Sequence, residues 1–306
     1  EPTQKSKQVL DYNTRRGDYD AALVPFMFLK EYVKAGYVEP IDEYMENDPV
    51  AFDNKPFDLK DHPLWCTIPF REGLNPNGRL YSIGQCAYIP QMTYRSDYMD
   101  KLGLEVPDTI DDYTNKFLAG YDNAGSVVKG DFYPVAIRGS STFDSYYSFG
   151  GIANAFGDPR LVDLETNTPF PDREGWITAL TWISDVLKKY GHPGQATMGW
   201  TDLIPFMQAG KIGSWIDHSG YHAVWQLAPE SKIPNATTYG PPLQGRSGRR
   251  VSSCPYTDAW VMNRDCNNKG ATWYFIAWSV SNHRFMMELE ADLKYDLPNV
   301  LTINSD

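Results

Sequence analysis

The sequence predicts an α/β fold with largely parallel sheets, divided between two lobes. Two observations carry this. Apolar runs of strand length alternate with stretches of helical spacing along the chain. The length of 306 residues exceeds what one core usually fills and suits two lobes of ordinary domain size.

The elements follow in order. Lys5 to Arg16 is polar and mildly amphipathic, and predicts a helix. Ala21 to Val24 is an apolar run of strand length that Pro25 breaks. Met27 to Ala35 returns to helical spacing, with Leu29, Tyr32 and Val33 on one face and Gly36 as its stop. Residues 46–80 are rich in Asp, Asn and Pro and read as loop, with a turn at Asn75 to Gly78. Leu80 to Ile83 reads as a strand, and Ala87 to Tyr94 as a further extended stretch. Thr109 is a natural N-cap for a helix carrying Ile110, Tyr113, Phe117 and Leu118, which Gly120 ends. Arg173 to Tyr190 is the most regular helix, with Trp176, Leu180, Ile183 and Leu187 in its apolar stripe. Thr201 to Gln208 predicts a helix, Lys211 to Ile216 a strand and Ser219 to Leu227 a helix. Residues 240–252 are rich in Gly, Pro, Arg and Ser and read as a crossing between lobes. Ala259 to Met262 reads as a strand, and Asn267 or Asn268 caps a helix through Trp278. The predicted lobes are 1–94 with 245–283, and 95–244 with 284–306.

Composition narrows the function. Hydrophobic residues make up 42% and charged residues 22%, as in folded soluble proteins. The net charge of -11 argues against nucleic acid as a partner, which would need a Lys/Arg surplus on some face. It suits a soluble monomer and a neutral or cationic small ligand. Aromatics reach 14%. Beyond the needs of a core, such rings can line a site where flat faces with polar edges are useful, as for sugars. Cys66, Cys86, Cys254 and Cys266 form no CxxC, so zinc-ribbon spacing is absent. Two disulfides or buried thiols are both compatible with these four.

Motifs for phosphate loops, nucleophile elbows and HExxH zinc sites are missing. His218 and His222 have a metal-ligand spacing, with Asp217 beside them, but no third ligand accompanies them, so no metal is expected. No cofactor is implied either. Glycosidase chemistry needs two carboxylates at a fixed separation. The acids here, such as Asp42-Glu43 and Asp111-Asp112, stand in solvated turns rather than apolar settings. What remains is a series of polar–aromatic clusters at strand ends: Pro25 to Phe28, Gln85 to Tyr88, Phe143 to Tyr147, Trp215 to Ser219 and Tyr256 to Trp260. Each alone is more often core than site. Their recurrence favours a site, because ligands of open α/β sheets lie beyond the strands' carboxyl ends. A ring stacks on a sugar's C–H face, and a carboxylate accepts its hydroxyls.

Four segments, in order, resemble the extracellular solute-binding proteins of carbohydrate ABC importers. They are Gly17 to Val24 with Tyr32-Val-Lys-Ala-Gly-Tyr-Val-Glu-Pro-Ile-Asp42, Tyr94-Arg-Ser-Asp97 with Lys101-Leu-Gly-Leu-Glu-Val-Pro-Asp-Thr109, Phe206 to Lys211 with Trp215-Ile-Asp217, and Asp258-Ala-Trp260 through Trp278. The resemblance implies a two-lobed periplasmic-binding-protein fold, with a mixed, mostly parallel sheet in each lobe and a ligand cleft between them. It implies capture of a sugar or polyol by hinge closure, without catalysis, and delivery to the membrane permease subunits of an importer. Matching positions for ligand contact are Phe26, Phe28, Gln85, Tyr88, Ser145, Tyr146, Trp215, Asp217, Asp258 and Trp260. Arg95 and Asp97 fit a buried structural bridge. The location implied is extracytoplasmic, periplasmic or lipid-anchored, with a signal peptide no longer present. The family's usual opening strands are missing ahead of Gly17, and residues 286–306 do not resemble its usual tail. The alternatives are a glycoside hydrolase, which would need paired carboxylates, or a binder of a non-sugar polar solute, which would need charged anchors.

Overall fold

The computed structural model describes residues 2–85, 90–124, 127–128, 130–140, 143–163, 165–166, 168–218, 221, 224–225, 228–252 and 257–294, with the backbone alone at 2–3, 123, 143–147 and 292–293. The elements that position the site are α1 (Pro2–Thr14), β1 (Ala21–Pro25), α2 (Phe26–Lys34), β2 (Val38–Glu39), β3 (Pro90–Arg95), α3 (Phe143–Phe156), α4 (Arg173–Tyr190), α5 (Trp200–Gln208), β4 (Ser214–His218), β5 (Thr237–Gly240), β6 (Asp258–Asn263), α6 (Lys269–Ser279) and α7 (Asn282–Lys294). They belong to two units, Glu1–Ala87 with Pro255–Asp306 and Tyr88–Cys254.

In the first unit, β6 lies between β1 and β2, antiparallel to both. Ala22 stands opposite Val261 and Val24 opposite Ala259, and all four are buried. The alternate residues Leu23, Pro25, Asp258 and Trp260 share the other, half-buried face. Pro25 fixes φ at -57° where β1 turns into α2. Gly36 ends that helical turn at φ +65°, where a side chain would be strained. Tyr32, Ile41, Phe70, Leu80, Trp273 and Ile276 belong to the core beneath. Cys66 and Cys266 are buried there, and burial pushes the Cys266 thiol's pKa up. Cys86 and Cys254 lie outside the described residues.

In the second unit, β3 is the central strand between β4 and β5. Met92 and Tyr94 turn to one face with Ile216, joining a core that includes Tyr113, Phe117 and Ile137. Gln91, Thr93, Trp215 and Asp217 turn to the other. The Thr109 N-cap forms, its hydroxyl accepting from the Asp112 N–H at 3.0 Å. The chain then continues as a π-helical stretch, Tyr113–Leu118.

Three expectations need correction. Pairings between strands of three or more residues are antiparallel, and parallel pairing among the described residues is confined to the bridges Thr109–Gln244, Tyr133–Ile212 and Ala136–Trp215. Helix–strand alternation fixes direction only when successive strands are neighbours, and here β1 pairs with a strand from the far end of the chain. The lobe boundaries differ too. β3 belongs with its ladder partners β4 and β5, and residues 245–252 stay with them, Val251 donating to the Leu243 carbonyl at 2.8 Å. α7 stays in the first unit beside α6, where His283 pairs with Asp53. Finally, residues 46–80 contain short helices such as Leu64–Thr67 and a hairpin, Ala51–Phe52 with Lys55–Pro56, too short for any periodic signal. The expected strand from Leu80 to Ile83 is, among the described residues, an isolated antiparallel bridge of Leu80 with Arg71. The predicted helix over Ser219 to Leu227 falls largely outside the described residues.

Buried tyrosines tie this fold to pH. Burial pushes the Tyr32 phenol up to about 12, with Glu31 and Tyr37 adding to the effect, and its hydroxyl donates to Gln8 at 2.8 Å. Burial raises Tyr12, Tyr94, Tyr113 and Tyr121 further. Below the ordinary value of 10.0 these phenols are protonated in both states. Above it the unfolded chain ionises first, so stability drains away as pH rises toward the folded values. The urea midpoint is expected to fall from about pH 10 upward. A midpoint that stays level to about pH 12 would contradict the enclosure of these rings.

Candidate functional site

The second unit concentrates its polar chemistry at the end of β4. Residues 133–136 run parallel beside that strand, with Ala136 N–H donating to the Ser214 carbonyl at 2.8 Å and Ile216 N–H to the Ala136 carbonyl at 3.1 Å. This alignment brings Arg138 level with Asp217. Arg138 donates from Nε to Oδ2 and from Nη2 to Oδ1, both at 2.7 Å. The pair is buried, with side-chain exposures of 5% and 3%. Asp217 also accepts from the Trp215 indole and from the His218 backbone N–H, each at 2.9 Å. A carboxylate offers about four acceptor positions, so these four donors fill it.

Aromatic rings surround the pair. Arg138 Nη2 also donates to the Tyr221 hydroxyl at 2.7 Å, and its guanidinium lies 5.6 Å from that ring's centre. Tyr221 stacks on Trp215 at 5.3 Å, on Trp200 at 5.9 Å and on His218 at 4.2 Å. Trp215 is fully enclosed. Trp200, at the start of α5, is half-buried. The arrangement is a fixed ionic fork beside stacked rings. It can hold hydrogen-bonding groups in a set geometry without reorganising.

In the first unit, antiparallel pairing gathers residues from distant segments. Pro25 stands opposite Asp258, Phe26 N–H donates to the Thr257 carbonyl at 3.2 Å, and Gln85 N–H donates to the Asp258 carbonyl at 2.9 Å. Gly84 permits this approach, since a Cβ there would lie 2.2 Å from the Thr257 hydroxyl. Phe26, Gln85 and Asp258 therefore meet at one end of the sheet. Trp260 lies one step inward on the same face as Asp258, with its ring edge-on to Phe275 at 5.2 Å. Phe28 packs on the core edge, with the Lys5 ammonium 4.4 Å over its ring.

Tyr88 lies outside the described residues, and so do the side chains of Ser145 and Tyr146, whose backbone is in α3. His222 is also outside them. Among the described residues, no group of three His, Cys, Asp or Glu side chains could hold a metal, and no helix is long and apolar enough to cross a membrane. Arg95 grips Asp97 with two bonds of 2.8 Å and donates to the Gly210 carbonyl at 2.8 Å, as a structural bridge would. Sequence reasoning missed Arg138, Tyr221 and Trp200. The available signal was an apolar run from Val135 to Ile137 that ends on a lone arginine.

The chain belongs to the bacterial extracellular solute-binding protein family, whose model matches residues 7–282. It is 24% identical over 280 residues to the mannitol-binding protein of Pseudomonas aeruginosa, covering 90% of this chain and 55% of that one. It is 22% identical over 301 residues to the erythritol/L-threitol-binding protein of Mycolicibacterium smegmatis, covering 92% and 59%. The chain thus spans a little over half the length of these curated relatives. Its fold is that of an ABC transporter solute-binding protein from Agrobacterium vitis solved with bound D-mannitol, at TM-score 0.71 and 23% identity, covering 97% and 67%.

A buried ion pair of this kind has a testable energetic signature. Replacing Asp217 alone by Leu leaves the Arg138 guanidinium without its counter-charge and is expected to cost about 3–5 kcal/mol in urea unfolding. Joining Arg138→Met to Asp217→Leu should recover most of that loss. A single-variant cost under about 1 kcal/mol, the range of exposed pairs, would show that water screens the pair.

Proposed function

We propose that this chain is a monomeric, extracytoplasmic binding protein that captures a small sugar or polyol and delivers it to the membrane subunits of an ABC importer, without cofactor or catalysis. The observation that carries the reading is the Arg138–Asp217 fork beside the stacked rings of Tyr221 and Trp200. A polyhydroxylated ligand needs fixed hydrogen-bonding groups for its hydroxyls and flat apolar faces for its C–H groups. Family membership and the mannitol- and erythritol-binding relatives support the same ligand class. In this reading Trp215 and Asp217 hold the fork from within, while Phe26, Phe28, Gln85, Asp258 and Trp260 form the first unit's contribution. Tyr88, Ser145 and Tyr146 complete the set of ligand contacts.

Thermal denaturation against D-mannitol, ribitol, erythritol and maltotriose tests the proposal. A true ligand at a hundred times its Kd should stabilise the fold by about 2.7 kcal/mol. The gain is expected to disappear in Trp260→Ala. A level response to all four on a folded sample would count against the ligand class. Turnover of a chromogenic glycoside, abolished by one acidic substitution, would overturn the non-catalytic assignment.

A further inference from the structure

The Asp217 carboxylate is committed within the protein: Arg138 Nε and Nη2, Trp215 Nε1 and the His218 N–H occupy its acceptor positions. The acceptor that a ligand hydroxyl needs must therefore come from elsewhere on this face. Gln91 stands directly opposite Asp217 in the β3–β4 register, on the same face of the sheet. Cβ atoms of such a cross-strand pair lie about 5 Å apart. The Gln91 Oε1 atom is enclosed, and among the described residues nothing donates to it. Buried amide oxygens are nearly always met, and an unmet one asks for an explanation. Packing offers none, because an apolar side chain of similar volume would fill the same place without leaving a polar atom stranded.

We propose that Gln91 is a ligand-contacting, specificity-determining residue, whose side-chain amide takes a hydroxyl of the bound solute beside the Arg138–Asp217 fork. This rests on the reading of the chain as a sugar or polyol binder. A hydroxyl both donates and accepts, so it satisfies the amide edge in either orientation of the group. A ligand lacking that hydroxyl leaves the amide stranded in the complex, so the residue selects for hydroxylated ligands over their deoxy analogues. Gln91 thereby supplies the acceptor role that the neighbouring carboxylate has spent on Arg138.

The test measures two properties of Gln91→Leu, and of Gln91→Met as a second apolar variant: the melting temperature of the ligand-free protein, and the calorimetric Kd for D-mannitol, ribitol and erythritol. The expected result is a melting temperature equal to or above wild type, because a stranded polar atom is removed. It is joined by affinity about tenfold weaker for whichever of the three wild type binds. A structural role would instead lower the melting temperature and leave affinity alone, and that result overturns the proposal. So does wild-type affinity in both variants. Absence of binding of all three and of maltotriose by wild type sinks the parent reading together with this one, whereas wild-type binding with unaltered variants sinks the Gln91 assignment alone.

Discussion

The second unit depends on one electrostatic constraint: a charge removed from water must be met by an opposite charge and by enough hydrogen bonds to replace its hydration. Arg138 and Asp217 meet it together. The carboxylate sits on β4, the guanidinium arrives on the segment bridged to that strand at Ala136, and the Trp215 indole and His218 N–H complete the carboxylate's shell. Each of these neighbours is then fixed in turn. Trp215 must keep its indole edge toward Asp217, which leaves its face for Tyr221, and Tyr221 carries Trp200 on the stack. The pair adds little net stability over an apolar substitute, because desolvation offsets most of its attraction. Its consequence is positional: a charged fork and a set of rings held in one geometry.

The first unit reaches a comparable end by backbone means. Phe26, Gln85 and Asp258 come from three distant stretches, and main-chain hydrogen bonds around the end of β6 bring them together. Close approach decides the arrangement. Gly84 passes against Thr257 where no side chain would fit, and Gln85 follows at the place where Asp258 begins its strand. The buried face of this sheet, Ala22, Val24, Ala259 and Val261, sets the register. Slipping it by one residue would bury Asp258 and Trp260 and expose the apolar set.

Much of this was legible in the sequence where local signals suffice. The helix from Arg173 to Tyr190 has the bounds its apolar stripe implied, and the Asp172 side chain caps its start. The strand before Pro25 and the helix ended by Gly36 likewise follow from residues within a few positions of each other. Strand direction was not legible, because β6 meets β1 across nearly the whole chain. The short helices within 46–80 were not either, since three or four residues carry no period. At the site, Trp215 and Asp217 drew attention as a ring beside an acid, but what Asp217 does depends on Arg138, 79 residues away. Spacing along the chain carries no trace of such a pairing, and the lone arginine after an apolar run was its one local sign.

The central proposal is that a solute binds beside the buried Arg138–Asp217 fork, close enough to disturb it. The most direct measurement is NMR of the Arg138 Nε–H and Trp215 indole N–H resonances while D-mannitol is added up to the saturation found by calorimetry. The account predicts that the Arg138 resonance shifts with the binding isotherm and that the Trp215 resonance follows, because both donate to the same carboxylate. Saturation of the protein with both resonances unmoved would contradict it.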